Sequence, residues 1–483
     1  MSQQSDVSTP AHAKLGLGDA VSLIVGIVIG ATIYETPWLV FGNVSSPWQG
    51  LAAWALGGAL TLVGALCYVE LATSYPRSGG DYVYLTRAFG PRVGFLFGWA
   101  QLCALLTGSI GMMAYIFAGY AANLMDLGDR TEIILAAGSV LALAMVNARG
   151  VVVGKTTQNV LTAAKVLGLG GILVAGFVAS GAHVPAVDVP ASSGTDFGFA
   201  MIFVLLAYGG WNDLSFVVAD VKDPNRNVLR ALMLGTAAIT LIYLLVNVAY
   251  LASLGFDGVR ASHTPAADTL GLAFGEWGTR VMSLLVMIAA LGAINGLTFV
   301  GSRIYSSLGE DHALFARLGR WHPGAGAPLF AIWTQAGICV AMILLVGSET
   351  GFRLVNGFLS SLGLEAVESL GKSGFDILLK CTAPVFWAFF LMTGLSLFVL
   401  RVRAGDRPRP FSVPFYPVLP LIFCSMCVYM LYSAIAYAKT LTLLGVVPVL
   451  LGIPLYFIST RMKGAQVTPE GTRGSGGGSR GQG

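Results

Sequence analysis

The sequence predicts an all-α polytopic membrane protein with twelve transmembrane helices. Three observations predict it. Of 483 residues, 55% are hydrophobic and only 11% are charged, where a soluble domain carries roughly 25% charge. The mean hydropathy is +0.75, and the apolar residues fall into runs of about 20, the length that crosses a hydrocarbon core. Short breaks rich in turn-forming residues separate the runs.

Taken in order, span one (17–43) contains Gly26, Gly30 and Pro37, so an interruption is expected within it. Ser45-Ser46-Pro47 then turns the chain into span two (50–73), followed by spans three (91–123), four (131–147) and five (156–180). Span six (197–219) contains a second weak place, Ala207-Tyr208-Gly209-Gly210-Trp211-Asn212-Asp213, and closes at Asp223-Pro224-Asn225. Spans seven (230–254), eight (279–308) and nine (328–347) are continuous runs. Span ten (381–402) ends before Arg407-Pro408-Arg409-Pro410, and spans eleven (415–437) and twelve (441–460) complete the set.

The membrane domain thus occupies 17–464, preceded by a polar tail, 1–16, with no resemblance to a cleavable signal peptide. Residues 465–483 are Gly-, Ser- and Arg-rich and are expected to be a disordered tail. Within 348–379, Leu354, Phe358 and Leu362 recur at four-residue spacing beside Glu365, Glu368 and Lys372. An amphipathic helix at the outer surface is expected there, with a buried interface as the competing reading.

The net charge is +4, and most of the 28 basic residues lie in alternate loops, among them Arg77, Arg149, Lys222, Arg317 and Arg407. That bias places both termini in the cytoplasm of a multi-pass plasma-membrane protein, or an inner-membrane protein if the source is bacterial. It signals orientation in a lipid bilayer rather than a nucleic-acid partner. The six cysteines lie within apolar runs or at their margins and read as reduced packing residues. The five histidines lie in tails or loops, with no metal-ligand spacing, and no phosphate-binding glycine loop is present. An enzyme, a metal site and a cofactor are therefore not expected.

Irregular backbone inside a membrane persists only where protein buries it or water reaches it. Paired breaks in two halves of a chain point to a transport site. Spans one and six are the first members of two sets of five. An unwound segment exposes N–H groups at the start of one half-helix, which suit a carboxylate, and carbonyls at the end of the other, which suit an ammonium group. Simple helix–helix packing through Gly26 and Gly30 is the bland alternative.

Gly26 to Tyr34 resembles the first-span signature of the amino acid–polyamine–organocation superfamily. Tyr68-Val69-Glu70-Leu71-Ala72 with Pro76-Arg77-Ser78-Gly79-Gly80-Asp81-Tyr82 resembles its connection between spans two and three. Ala207 to Asn212, with Asp220 and Asp223 to Asn227, is similar to its sixth span in the L-type amino acid transporter branch. The resemblance implies a five-plus-five inverted repeat, the leucine-transporter-like fold, with two further C-terminal helices. It implies an amino acid held between spans one and six, with Ala31 and Thr32 N–H groups on its carboxylate and Gly30 permitting the unwinding. The carbonyls of Leu206, Ala207 and Gly209 would take the amino group, while Val28, Trp211 and Asn212 would line the pocket. The family usually has Gly where this chain has Thr32, which puts the substrate class in question.

Lys165, well inside span five, is a costly cation in a bilayer and faces either a cavity or the headgroups. By resemblance, it stands where sodium-coupled relatives hold sodium, implying sodium-independent transport with protons as the coupling ion, or exchange. Glu70 and Asp220, with Arg77, Asp81 and Lys222, are candidate gating charges; Asn295 faces the cavity or glues helices together. Glu35 either attracts a cationic substrate or reaches outer water. The leading expectation is a secondary active transporter of neutral amino acids working by alternating access. A cationic amino acid or polyamine carrier, favoured by Glu35 or Asp213 in the pocket, and a non-transporting sensor are the alternatives. The loop near Asp126 has no cysteine, so no disulfide-linked partner is expected.

Overall fold

The computed structural model describes residues 14–127, 129–181, 196–361, 374–404, 409–438 and 441–466. Among them there are helices and turns but no strand, only the isolated bridges Leu15–Val221 and His322–Ala327. Eleven helices are long and apolar enough to cross a membrane. Span one escapes that length test because it is cut into Leu17–Val28, Thr32–Glu35 and Pro37–Gly42. Together these make the twelve spans of an all-α polytopic membrane protein.

Several helices outrun their apolar windows. Span seven starts early, at Pro224, and is kinked at Gly255 (φ +71°) before a last stretch ends at Ala261; span eight runs Glu276–Asp311, because a helix started at a proline or glycine boundary continues into water until another boundary stops it. Two short helices, Asp81–Phe89 and Pro265–Phe274, join spans two to three and seven to eight. Too few residues and too mixed a pattern hide them from a hydropathy reading. Span three (Pro91–Leu124) contains a wider π turn at Gln101–Leu105. In the 348–379 region, Glu349–Ser361 is helical and its Leu354 is exposed; residues 362–373, and the tail from 467 onward, lie outside the described residues.

Both expected interruptions occur. In span one the backbone leaves the helix at Ile29 (φ −72°, ψ 85°), and the next helix begins after Ala31. Span six runs Phe197–Ala207, breaks, and resumes as the 3₁₀ segment Trp211–Asp220. Gly210 holds φ +103°, which favours glycine, and a Cβ there would lie 2.7 Å from Ile27 Cγ2. The two broken spans meet at that contact. All six cysteines are free.

Candidate functional site

A cavity of about 200 Å³ opens at the two breaks. Val28, Gly30 and Thr32 line it from span one; Leu206, Gly209, Asn212 and Asp213 line it from span six. Gln101 and Met112 of span three and Phe386 and Trp387 of span ten close the far wall. Trp211 lies below, edge-on to Tyr68 with ring centroids 5.0 Å apart and tilted against Phe390. A larger cavity of about 340 Å³, around Cys103, Met342, Leu378 and Leu444, is almost wholly apolar and offers nothing to a zwitterion.

The backbone chemistry at the breaks is polar on both sides. The N–H groups of Ala31 and Thr32 donate to no backbone carbonyl of the described residues, as befits the first turn of a helix. On span six, no described backbone N–H reaches the Gly209 carbonyl. The Leu206 carbonyl already accepts from Gly209 N–H at 3.1 Å. The Ala207 carbonyl accepts from the Tyr243 hydroxyl at 3.0 Å, and that hydroxyl also reaches the Val28 carbonyl at 3.0 Å. Tyr243, fully buried on span seven, thus ties the two breaks together. Nothing in its apolar sequence context marked it.

The two glycines of span one divide their tasks. A Cβ on Gly26 would fall 2.2 Å from both Gln158 Nε2 and Thr162 Oγ1, so this residue lets spans one and five touch. At Gly30 the closest atoms would be 3.9 Å away, because it faces the cavity.

Lys165 is fully buried. Its ammonium donates to the Gly26 carbonyl at 2.6 Å and the Ile29 carbonyl at 3.0 Å. These carbonyls end the first half-helix, where the partial negative charge of the helix suits a cation. Room for the side chain comes from Gly292 on span eight: a Cβ there would lie 2.6 Å from Lys165 Cε. The lysine therefore bridges the break in span one and does not reach toward headgroups. Asn295 is glue between helices, accepting from Asn147 and donating to Gln158, both at 2.9 Å.

A profile of the amino acid permease family matches residues 15–458. The chain belongs to that family. It is similar to the serine/threonine exchanger SteT of Bacillus subtilis, 28% identical over 447 residues that cover 92% of this chain and 96% of the exchanger. The human b(0,+)-type amino acid transporter 1 is also 28% identical, over 95% of this chain and 90% of that protein. The human large neutral amino acids transporter small subunit 2 matches at 28%, over 92% of this chain and 80% of its own length. The chain is thus a multi-pass amino acid permease of the L-type branch of its superfamily, not an enzyme.

At the permease's basic end, the candidate gating charges divide into separate locks. Glu70, 3% exposed, takes Arg401 on both oxygens and the Val413 N–H, joining span two to span ten and the connection after it. Asp220 takes Arg303 Nε at 3.0 Å, while its carbonyl accepts from the Lys14 and Leu15 N–H groups. Arg77 pairs with Glu310 and Asp311, and Tyr82 donates to Asp311 at 2.8 Å. Asp81 joins none of these. Arg303 is the residue a sequence reading missed as a site: it sits within span eight, 1% exposed, with its guanidinium 3.8 Å from the Phe299 ring centroid. The side chain of Glu35 lies outside the described residues.

Asp81, in the connection between spans two and three, is 2% exposed, and burial pushes its carboxyl up to about 6. The raised value makes the protonated acid the comfortable folded form. Its contribution to stability is present below pH 4, the ordinary carboxyl range, and is lost as pH rises toward 6. Thermal unfolding in detergent should show the wild-type permease losing stability over that interval relative to D81N. Parallel curves for the two proteins would contradict the assignment.

Proposed function

We propose that this permease is a secondary active transporter of neutral amino acids, working by alternating access with substrate between the breaks of spans one and six. The observation that supports this reading most directly is the cavity itself. Thr32 and Gly209 line it, and the Ala31 and Thr32 N–H groups and the Gly209 carbonyl have no backbone partner among the described residues, which supports a zwitterion held without a charged side chain. Apolar walls from Val28, Leu206 and Phe386 suit an uncharged side chain. Serine/threonine exchange and transport of large neutral amino acids are what the names of two relatives describe for those proteins.

Lys165 is the proposed coupling residue. An ammonium at the broken first span would stand in for a metal ion, making transport sodium-independent and leaving protons or exchange to drive it. The cytoplasm is the proposed side of both termini and of the Asp220–Arg303 and Glu70–Arg401 locks. The excess of Lys and Arg in the loops at that end supports this orientation.

One observation favours a second reading. Asp213 lines the cavity, and a carboxyl facing substrate would pair with a cationic side chain. Purified permease in proteoliposomes, offered a panel of labelled amino acids with and without a pH gradient and with sodium replaced by choline, separates the readings. Neutral amino acids should accumulate without sodium. Preferred uptake of arginine or lysine, lost in D213N, would replace the neutral assignment, and failure of every substrate to accumulate or exchange would overturn transport by this site.

Thr32 supplies a narrower test. Its branched side chain occupies cavity space, so T32G should broaden uptake toward larger side chains, with an apparent affinity gain on the order of tenfold for one or two extra methylenes accommodated. An unchanged selectivity order would show that Thr32 does not limit the pocket.

A further inference from the structure

Beneath the cavity is a group of buried polar atoms that none of the contacts above uses. Asp81 Oδ1 and the hydroxyls of Tyr68, Tyr84, Ser215 and Thr393 are all buried without a hydrogen-bond partner in the structure. Each of these residues is 2% exposed or less. They come from four different elements: span two, the Asp81–Phe89 helix, the 3₁₀ half of span six, and span ten.

Close backbone approach brings them together. Gly79 N–H donates to the Phe216 carbonyl at 2.9 Å, and Gly80, at φ +47°, passes so near that a Cβ would lie 2.3 Å from Ser215 Oγ. Asp81 follows directly and is set against Tyr68 and Thr393. Tyr68 and Tyr84 pack edge to face with centroids 6.4 Å apart, and Tyr68 meets Trp211 under the cavity floor. From above, Asp213 is within electrostatic reach of Asp81 while also lining the cavity.

We propose that Asp81 and Asp213 form a shared proton-binding site at the foot of the substrate cavity. The inference rests on that cavity being the transport site and supplies its coupling ion with a second location, apart from Lys165.

Two carboxylates so placed repel each other when both are ionised, so the pair binds a proton and titrates as a unit. No ion pair to either carboxylate occurs among the described residues. The titratable groups facing the pair are Tyr68 from span two, Tyr84 from the same short helix and, through Tyr68, Cys427 of span eleven. Span ten presents only the Thr393 hydroxyl. Three arginines of this end are engaged elsewhere, Arg303 by Asp220, Arg401 by Glu70 and Arg77 by Glu310 and Asp311. The unpartnered hydroxyls can donate to whichever oxygen keeps the negative charge.

The position gives the proton a way to follow transport. Asp213 rides on the second half of span six, whereas Asp81 belongs to the connection after span two. A hydronium ion reaching the cavity gives its proton to one carboxylate and leaves as water. When the half-helix shifts away from Asp81, repulsion is relieved and the acid returns that proton to water.

The test is the infrared pH-difference spectrum of purified permease, with a parallel assay of uptake against external pH in proteoliposomes. The wild type should show a protonated-carboxyl C=O band that titrates as pH rises. In either D81N or D213N the remaining carboxyl loses its repelling partner, so the band should move to lower pH, roughly tenfold or more in proton affinity. Y68F, which keeps both acids and the packing, should shift it the other way, because a donor to the charged form is removed. The proposal is overturned if the band is the same in all four proteins, or if sodium abolishes it in the wild type, which would make this a metal-ion site. Failure of the transport reading looks different: no labelled amino acid would bind at all, whatever the band does.

Discussion

Replacing Lys165 with glutamine or alanine should abolish net uptake, with a loss on the order of 100-fold or more. The reasoning is energetic. The ammonium donates to two carbonyls that end the first half-helix, and neither is expected to find another donor if it is lost. An orphaned buried acceptor costs about 1–3 kcal/mol, more when the lost donor was charged. Two of them at one break would release the geometry that presents the Ala31 and Thr32 N–H groups. Glutamine can satisfy one carbonyl and should recover binding of a labelled substrate better than alanine, without restoring net transport. Uptake into proteoliposomes under a pH gradient, beside equilibrium binding in detergent, separates the two effects. Retention of pH-driven uptake in K165Q would remove Lys165 from the coupling role and leave it a structural brace. G292V, which pushes a side chain into the space of Lys165 Cε, should mimic K165A.

Breaking the Arg303–Asp220 lock should have the next largest effect. The guanidinium donates through Nε to Asp220 and through Nη1 to the Phe299 carbonyl and the Ser302 hydroxyl, and lies against the Phe299 and Trp321 rings, while Nη2 is buried without a hydrogen-bond partner. Removing one partner of a buried ion pair leaves the other charge uncompensated, typically at about 3–5 kcal/mol. R303Q should therefore lower the unfolding temperature in detergent and, if the pair gates this end as proposed, shift the conformational equilibrium away from the state described. D220N should do the same. The double variant R303Q/D220N should recover a substantial part of the loss, since neither charge is stranded. Additive losses would show that the two residues act separately, and accessibility of a cysteine placed on the cavity wall, probed from each side of the membrane, would report the gate.

The span pattern and the breaks were readable from residues alone. Apolar runs separated by Ser45-Ser46-Pro47, Asp223-Pro224-Asn225 and Arg407-Pro408-Arg409-Pro410 fix where helices cross, because lipid allows few alternatives. The glycines at 26, 30, 209 and 210 located both interruptions. The start of span seven at Pro224 and the ends of span eight were not readable, since helix continuation into water depends on caps rather than hydropathy, whereas the kink at Gly255 falls beside the expected end of span seven at 254. Nor were the short helices at Asp81 and Pro265.

Individual roles divided along the same line. Lys165 stood out because a cation in an apolar run is expensive. Arg303 did not, because it lies near the end of its run and looked like one more loop charge. Glu70, Arg77, Asp81 and Asp220 looked like a single cluster, yet Glu70, Arg77 and Asp220 pair in separate places with Arg401, Glu310 and Arg303, far along the chain, and Asp81 joins none of these pairs. Tyr243 and Gln101 gave no signal at all.

By itself the sequence determined that this chain lies in a membrane, that it crosses twelve times, and where its helices must break. Those follow from local composition acting against a uniform solvent, the bilayer, in which each backbone polar group needs its own partner. Only the tertiary structure decided which polar groups are spent and which are left open. Lys165 closes the Gly26 and Ile29 carbonyls, the one Tyr243 hydroxyl is shared between those of Val28 and Ala207, and the Ala31, Thr32 and Gly209 groups keep no backbone partner among the described residues. Such pairings join residues far apart in the chain, and hydrogen-bond reach, a matter of 3 Å, is set by packing rather than by the order of amino acids.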